Sequence, residues 1–178
     1  MKTDKRELAD WGFKTPDNGW YLVEYDADGY RINTKDKDDN DIENKDNHAI
    51  KMPSKIKEGK FANSILSKDC GLGWDNTPED IAGIIYATGL GEKFDEKFAD
   101  FDSHEELVKK SPKKLLAFLA SNLPGKQVYM KNVLNKKGYT NVQAILSKAD
   151  FQEDVVEAGL LDKDKPKAAA DDDGDWEE

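Results

Sequence analysis

The sequence predicts a mainly β domain with inserted helices, an antiparallel barrel closed by a late hairpin, and a polar tail. Three observations carry this. Aromatic and β-branched residues recur in short runs punctuated by Asp-Gly, Pro and Gly, which is strand chemistry. Two helix starts, each with a proline in the first turn, interrupt those runs. After Leu161 the chain holds one large apolar side chain, Trp176.

The elements follow in order. "DNGWYLVEYDADGYRI" places a strand near Trp20–Asp26, an Asp-Gly turn and a second short strand. "NTKDKDDNDIENKDN", about residues 33–47, has Ile42 as its one apolar side chain and reads as a disordered, solvated loop. "HAIKMPSKIKEGKFANSILS" offers strands around His48–Met52 and Lys60–Ser67, with Pro53 marking an edge, a bulge or a strand end.

"NTPEDIAGIIYATGLG" is the clearest helix. Thr77 is placed as N-cap and Pro78 follows, with Glu79 and Asp80 at the positive end. Ile81, Ile84, Ile85 and Thr88 share one face, and Gly89 stops the helix. "SPKKLLAFLASNLPG" gives a second helix, capped by Ser111, with Leu115, Leu116, Phe118, Leu119 and Leu123 on its apolar side.

"GKQVYMKNVLNKKGYTNVQAIL" has strand period over Gln127–Leu134 and Tyr139–Leu146 around a Lys-Lys-Gly turn, and reads as a hairpin. "ADFQEDVVEAGLL" predicts a short last helix with Asp150 and Glu153 as a capping box. The domain therefore runs over 1–161, and 162–178 is predicted to be a disordered acidic tail.

Composition excludes several classes. Cys70 is the one cysteine, so no internal disulfide forms, and with only the distant His48 and His104 to join it no structural zinc site is predicted. No apolar run approaches the ~20 residues of a membrane span, and the N-terminus lacks a signal-peptide apolar segment. These features predict a soluble cytoplasmic protein with no membrane partner. No Gly-rich phosphate loop with Lys-Ser/Thr occurs and no triad pattern is present, so neither enzyme activity nor a cofactor is predicted. In "DKDDNDIENKDN", Asp36, Asp38 and Asn40 match the first ligands of a calcium loop. Asp41, Glu43 and Asn47 stand where Gly, an apolar residue and Glu are needed, so no metal site is predicted.

The net charge is −10, but the charge is segregated. From Leu107 to Ala149 there are nine lysines and no acid, and from Lys51 to Lys68 five lysines face one acid, Glu58. Acids concentrate in Asp36–Asp46, Glu92–Glu106 and the tail. Local sign matters more than the total for partner choice.

Strands with helices inserted before a final hairpin suit a five-stranded barrel of the OB type, although periodicity supports an α+β fold with an antiparallel sheet equally well. The segment order, carried by "GWYLVEY", "EDIAGIIYATGL" and "LPGKQVYMKNVLNKKGYTNVQAIL", resembles the small bacteriophage-encoded OB-fold single-stranded-DNA-binding proteins over roughly residues 10–147. That resemblance implies an OB fold, no catalysis and sequence-tolerant binding of single strands. It also implies a role in replication and recombination in the host cytoplasm, and an acidic C-terminal tail.

Single strands are held by cations that track phosphates and by aromatic faces that stack on bases. The candidates are Lys126, Tyr129, Lys131, Lys136, Lys137 and Tyr139 in the hairpin, and Lys51, Lys55, Lys57, Lys60 and Phe61 in the second basic stretch. Tyr129 and Lys131 share a strand face opposite Val128 and Met130. Core or cross-strand packing fits Tyr129 and Tyr139 equally well. Trp74, just after Gly71 and Gly73, reads first as a lid on the core and second as a stacking platform. At least half of Trp20, Tyr21, Tyr25 and Tyr30 belong to the core.

In the tail, Asp171, Asp172, Asp173, Asp175, Glu177 and Glu178 can compete with DNA for the lysines, and Trp176 can anchor a replication or recombination partner. Family tails place the aromatic at the very end, whereas here two acids follow it. A homodimer is compatible with the sequence. The rival reading is an acidic DNA mimic or adaptor that inhibits or recruits a host factor.

Overall fold

The structure, a computed structural model, describes residues 15–161. Its strands are β1 (Gly19–Tyr25), β2 (Arg31–Asn33), β3 (Ala49–Lys51), β4 (Ser54–Ile56), β5 (Cys70–Gly71), β6 (Gln127–Asn132) and β7 (Val142–Leu146). Four helices lie between β5 and β6: α1 (Thr77–Ala87), α2 (Gly91–Lys97), α3 (His104–Lys110) and α4 (Pro112–Asn122). A last helix, α5 (Lys148–Phe151), runs on as a π-helical turn, Gln152–Glu157.

All ladders are antiparallel, in two sheets of order β4-β1-β6-β7 and β2-β3-β5. The architecture is thus mixed, and no closed ring of strands joins the two sheets among the described residues. Pro53 is one physical reason. The chain passes from β3 in one sheet to β4 in the other through Met52-Pro53, and proline has no N–H to continue a ladder. Its carbonyl instead accepts from Asp26 N at 2.8 Å.

The alternation read in the sequence sets the faces. Val23 and Tyr25 of β1, Val128 and Met130 of β6 and Ile56 of β4 point inward and are buried. They join Ile50, Ile81, Ile84, Leu115 and Leu119 in one core, which the helices complete. Cys70 is buried there, and burial pushes its thiol up to about 12.

Several expected elements are relocated. No strand covers Lys60–Ser67. Gly59 (φ 80°) and Asn63 (φ 71°) turn the chain, and an isolated bridge, Lys55 to Ile65, forms there. The strand forms earlier, at Ser54–Ile56. Thr77 does not cap α1 through its side chain. Asn76 holds the cap position, and the Thr77 hydroxyl donates to the Gly71 carbonyl. Ser111 precedes α4 without a side-chain capping bond. The last helix is capped by Ser147, whose Oγ accepts from Asp150 N at 3.1 Å, in place of the expected Asp150–Glu153 box.

Helices α2 and α3 were hidden by their charge. Ser103 caps α3 by accepting from Glu106 N, and Glu106 in turn accepts from Asp102 N. The 33–47 segment is exposed almost throughout, as its composition requires, yet it is hydrogen-bonded. Asp36 Oδ1 accepts from the N–H groups of Asp38 and Asn40, Lys35 bridges Asp41, and His48 Nε2 meets the Ile42 carbonyl at 2.8 Å. The acidic tail lies outside the described residues. No described helix is long and apolar enough to cross a membrane.

Candidate nucleic-acid interface

The four-stranded sheet has a second face, turned away from the core. Register places Trp20 opposite Lys131, Leu22 opposite Tyr129 and Glu24 opposite Gln127, with Lys55 of β4 next to Glu24. These side chains alternate with the buried Val23, Val128 and Met130, so Tyr129 and Lys131 do share the outward face that their spacing predicts. Ala144 and Leu146 of β7 extend this face beyond β6.

Its aromatic part is not bare. Phe151 of α5 stacks on Tyr129, with ring centroids 3.7 Å apart and planes 9° from parallel. The same ring meets Trp20 at 5.5 Å in a tilted contact. Phe151 is buried, while Tyr129 and Trp20 remain half-buried. Burial raises the Tyr129 phenol, and the Glu58 carboxylate adds to the shift. The polar part centres on Glu24. Gln127 Nε2 donates to it at 3.0 Å and Lys57 Nζ lies 3.3 Å away. Those two hydrogen bonds hold its carboxyl below the ordinary 4.5, with smaller help from the charges of Lys57 and Lys148.

The lysines divide. Lys51 is paired with Asp69, Lys55 with Asp26 at 2.9 Å and Lys57 with Glu24. Lys60 lies 5.4 Å above the Phe61 ring. Phe61 packs edge-on against Tyr21 on the core side, which puts it on the opposite face from Tyr129. By contrast Lys126, Lys136 and Lys137 are exposed, and no side-chain partner holds them among the described residues. Lys136, Lys137 and Tyr139 ride on the hairpin tip. Asn135 fixes that tip by accepting from the N–H groups of Lys137 and Tyr139, and Gly138 turns it at φ 81°. Tyr139 is 66% exposed.

Trp74 belongs elsewhere. It follows β5, and its indole lies so close to Gly71 that a Cβ there would meet the ring at 2.4 Å. It is 49% exposed and borders a cavity of about 690 Å³ that Lys45, Asp46, Glu105 and Lys109 also line. It is neither a full lid nor part of the sheet face.

The structure thus brings together Lys55, Lys57, Tyr129 and Lys131 across three strands, with Lys126 at one end of β6 and the hairpin tip beyond the other. Lys51, Phe61 and Trp74 fall outside this group. Sequence reasoning left Trp20 undecided and did not connect Phe151 with the sheet. The signal was present in Phe151 and Val155, four apart on the last helix, which needed an apolar surface to cover. No protein-family model matches this chain, and no curated protein matches it.

Proposed function

We propose that this protein binds single-stranded DNA, coats it with little sequence preference, and serves replication or recombination. The observation that carries the reading is the outward face of the β4-β1-β6-β7 sheet, where Trp20 and Tyr129, covered in this structure by Phe151, form an aromatic platform beside Lys131 and the exposed lysines of the hairpin. Every base has a π-face, so an aromatic platform beside cations favours single strands over duplex. Two antiparallel sheets linked at Pro53 around one core are also how a partly open OB-type barrel would be built, and we read the fold that way.

In this reading the tail carries two roles. Asp171–Glu178 competes with DNA for the lysines, and Trp176 anchors a partner protein. Removing Asp171–Glu178 should tighten DNA binding most at low salt, while Trp176→Ala should lose the partner and leave DNA affinity unchanged. The DNA-mimic reading has less support. A mimic needs acids held unopposed on a folded face, whereas α3 pairs Glu105 with Lys109 and Glu106 with Lys110, each at 2.8 Å.

A mobility shift with labelled poly-dT tests the function. The expected result is a retarded complex at low salt that excess unlabelled poly-dT removes and duplex removes poorly. No shift at low salt would reject the reading.

A further inference from the structure

We infer that the last helix, Lys148–Glu157, is a displaceable lid that closes the aromatic platform of the sheet, with Phe151 seated where a base would stack. The inference deepens the single-strand reading and rests on it.

Three observations carry it. The Phe151–Tyr129 geometry is that of a stacked base, at 3.7 Å and 9°, whereas four of the other ring pairs meet edge-on and the parallel Phe94–His104 pair is wider, at 5.3 Å. An occupied platform cannot accept a nucleotide, so binding there requires the ring to leave. The helix is also built to leave. It buries only Phe151 and Val155, and it passes after one turn into a π-helical turn, a rare geometry. No strand follows it among the described residues, so its departure breaks no ladder. Finally, its net charge is opposite in sign to that of the lysines flanking the platform. Residues 148–157 carry Asp150, Glu153, Asp154 and Glu157 against Lys148 alone. A strand of phosphates would repel these acids as it approached the hairpin lysines.

The lid therefore lowers the apparent affinity by the fraction of molecules that are closed. Weakening its anchor should raise that affinity. Phe151→Ala in the full chain should bind poly-dT about 3–10-fold more tightly, the range set by the loss of one aromatic stack. Phe151→Tyr keeps the stack and should bind as the parent does. Hydrogen exchange supplies a readout that a merely structural role would not give. Poly-dT added to the parent protein should speed exchange of the amides of 148–157 while slowing exchange in β6.

The outcomes separate cleanly. If the parent binds poly-dT, Phe151→Ala binds no more tightly, and 148–157 stays as protected in the complex as in the free protein, the lid is wrong and the single-strand reading stands. If Phe151→Ala loses its folding transition, the exchange measurement on the parent decides alone. If neither protein binds poly-dT, the single-strand reading fails and the lid falls with it.

Discussion

The two basic stretches look alike in composition and differ in what their lysines do. Between residues 51 and 57, all three lysines are paired with acids brought from distant parts of the chain: Asp69, Asp26 and Glu24. Between 126 and 137, Lys126, Lys136 and Lys137 stand exposed without a side-chain partner among the described residues. A lysine already paired with a carboxylate must give up that partner before it meets a phosphate. A free one releases only a counterion, a favourable entropy change. The hairpin, rather than the stretch before it, therefore forms the electrostatic footprint in this account.

Substitution can break the comparison. Changing Lys126, Lys136 and Lys137 together to Ala should have the largest effect, weakening poly-dT binding by about a hundredfold at low salt. It should reduce the log–log salt slope by about 2, at ~0.7 per single-strand phosphate. Unchanged affinity in this variant would remove the hairpin from the footprint. Tyr129→Ala with Lys131→Ala comes next. Losing one stacked base costs on the order of tenfold. The domain should keep its thermal transition, because both side chains lie outside the core formed by Val128 and Met130. Loss of the transition would mean the outward face is structural.

The paired lysines should matter least to DNA. The variant Lys51→Ala, Lys55→Ala, Lys57→Ala should change poly-dT affinity by less than about threefold, and its melting temperature by a few degrees, since solvent-accessible ion pairs contribute little and only the Lys51–Asp69 pair is part-buried. A loss as large as that of the hairpin variant would erase the distinction between the stretches.

The smallest effect is on pH dependence. The Glu24 carboxyl is held low in the fold by Gln127 and Lys57. A depressed carboxyl adds stability above its unfolded value, and that stability is lost as pH falls through the folded one. Parent protein should therefore lose slightly more stability below about pH 4.5 than Lys57→Ala does, in melts taken across acid pH. Identical acid profiles would show that the ion pair does not couple to folding.

Much of this division was legible in the sequence, and the limits are physical. Alternation over Gln127–Asn132 assigns Val128 and Met130 to the core and Tyr129 and Lys131 to the other face, because strand periodicity is a local property. The helix stop at Gly89 is equally local, and that residue takes positive φ. Ion pairing is not local. Lys55 and Asp26 are 29 residues apart, and nothing near Lys55 announces its partner. The Phe151–Tyr129 stack is hidden for the same reason, since it depends on where the last helix docks. Helices α2 and α3 escaped because dense charge resembles a solvated loop, although Ser103 and Glu106 held the capping signal.

The most direct test of the central claim is equilibrium binding of the full chain to poly-dT and to a duplex of equal length across a salt series. The account predicts tighter binding to the single strand at every salt concentration, with a linear fall in log affinity against log salt whose slope corresponds to several phosphates. Equal affinity for the duplex, or no detectable binding to poly-dT at the lowest salt, would contradict it.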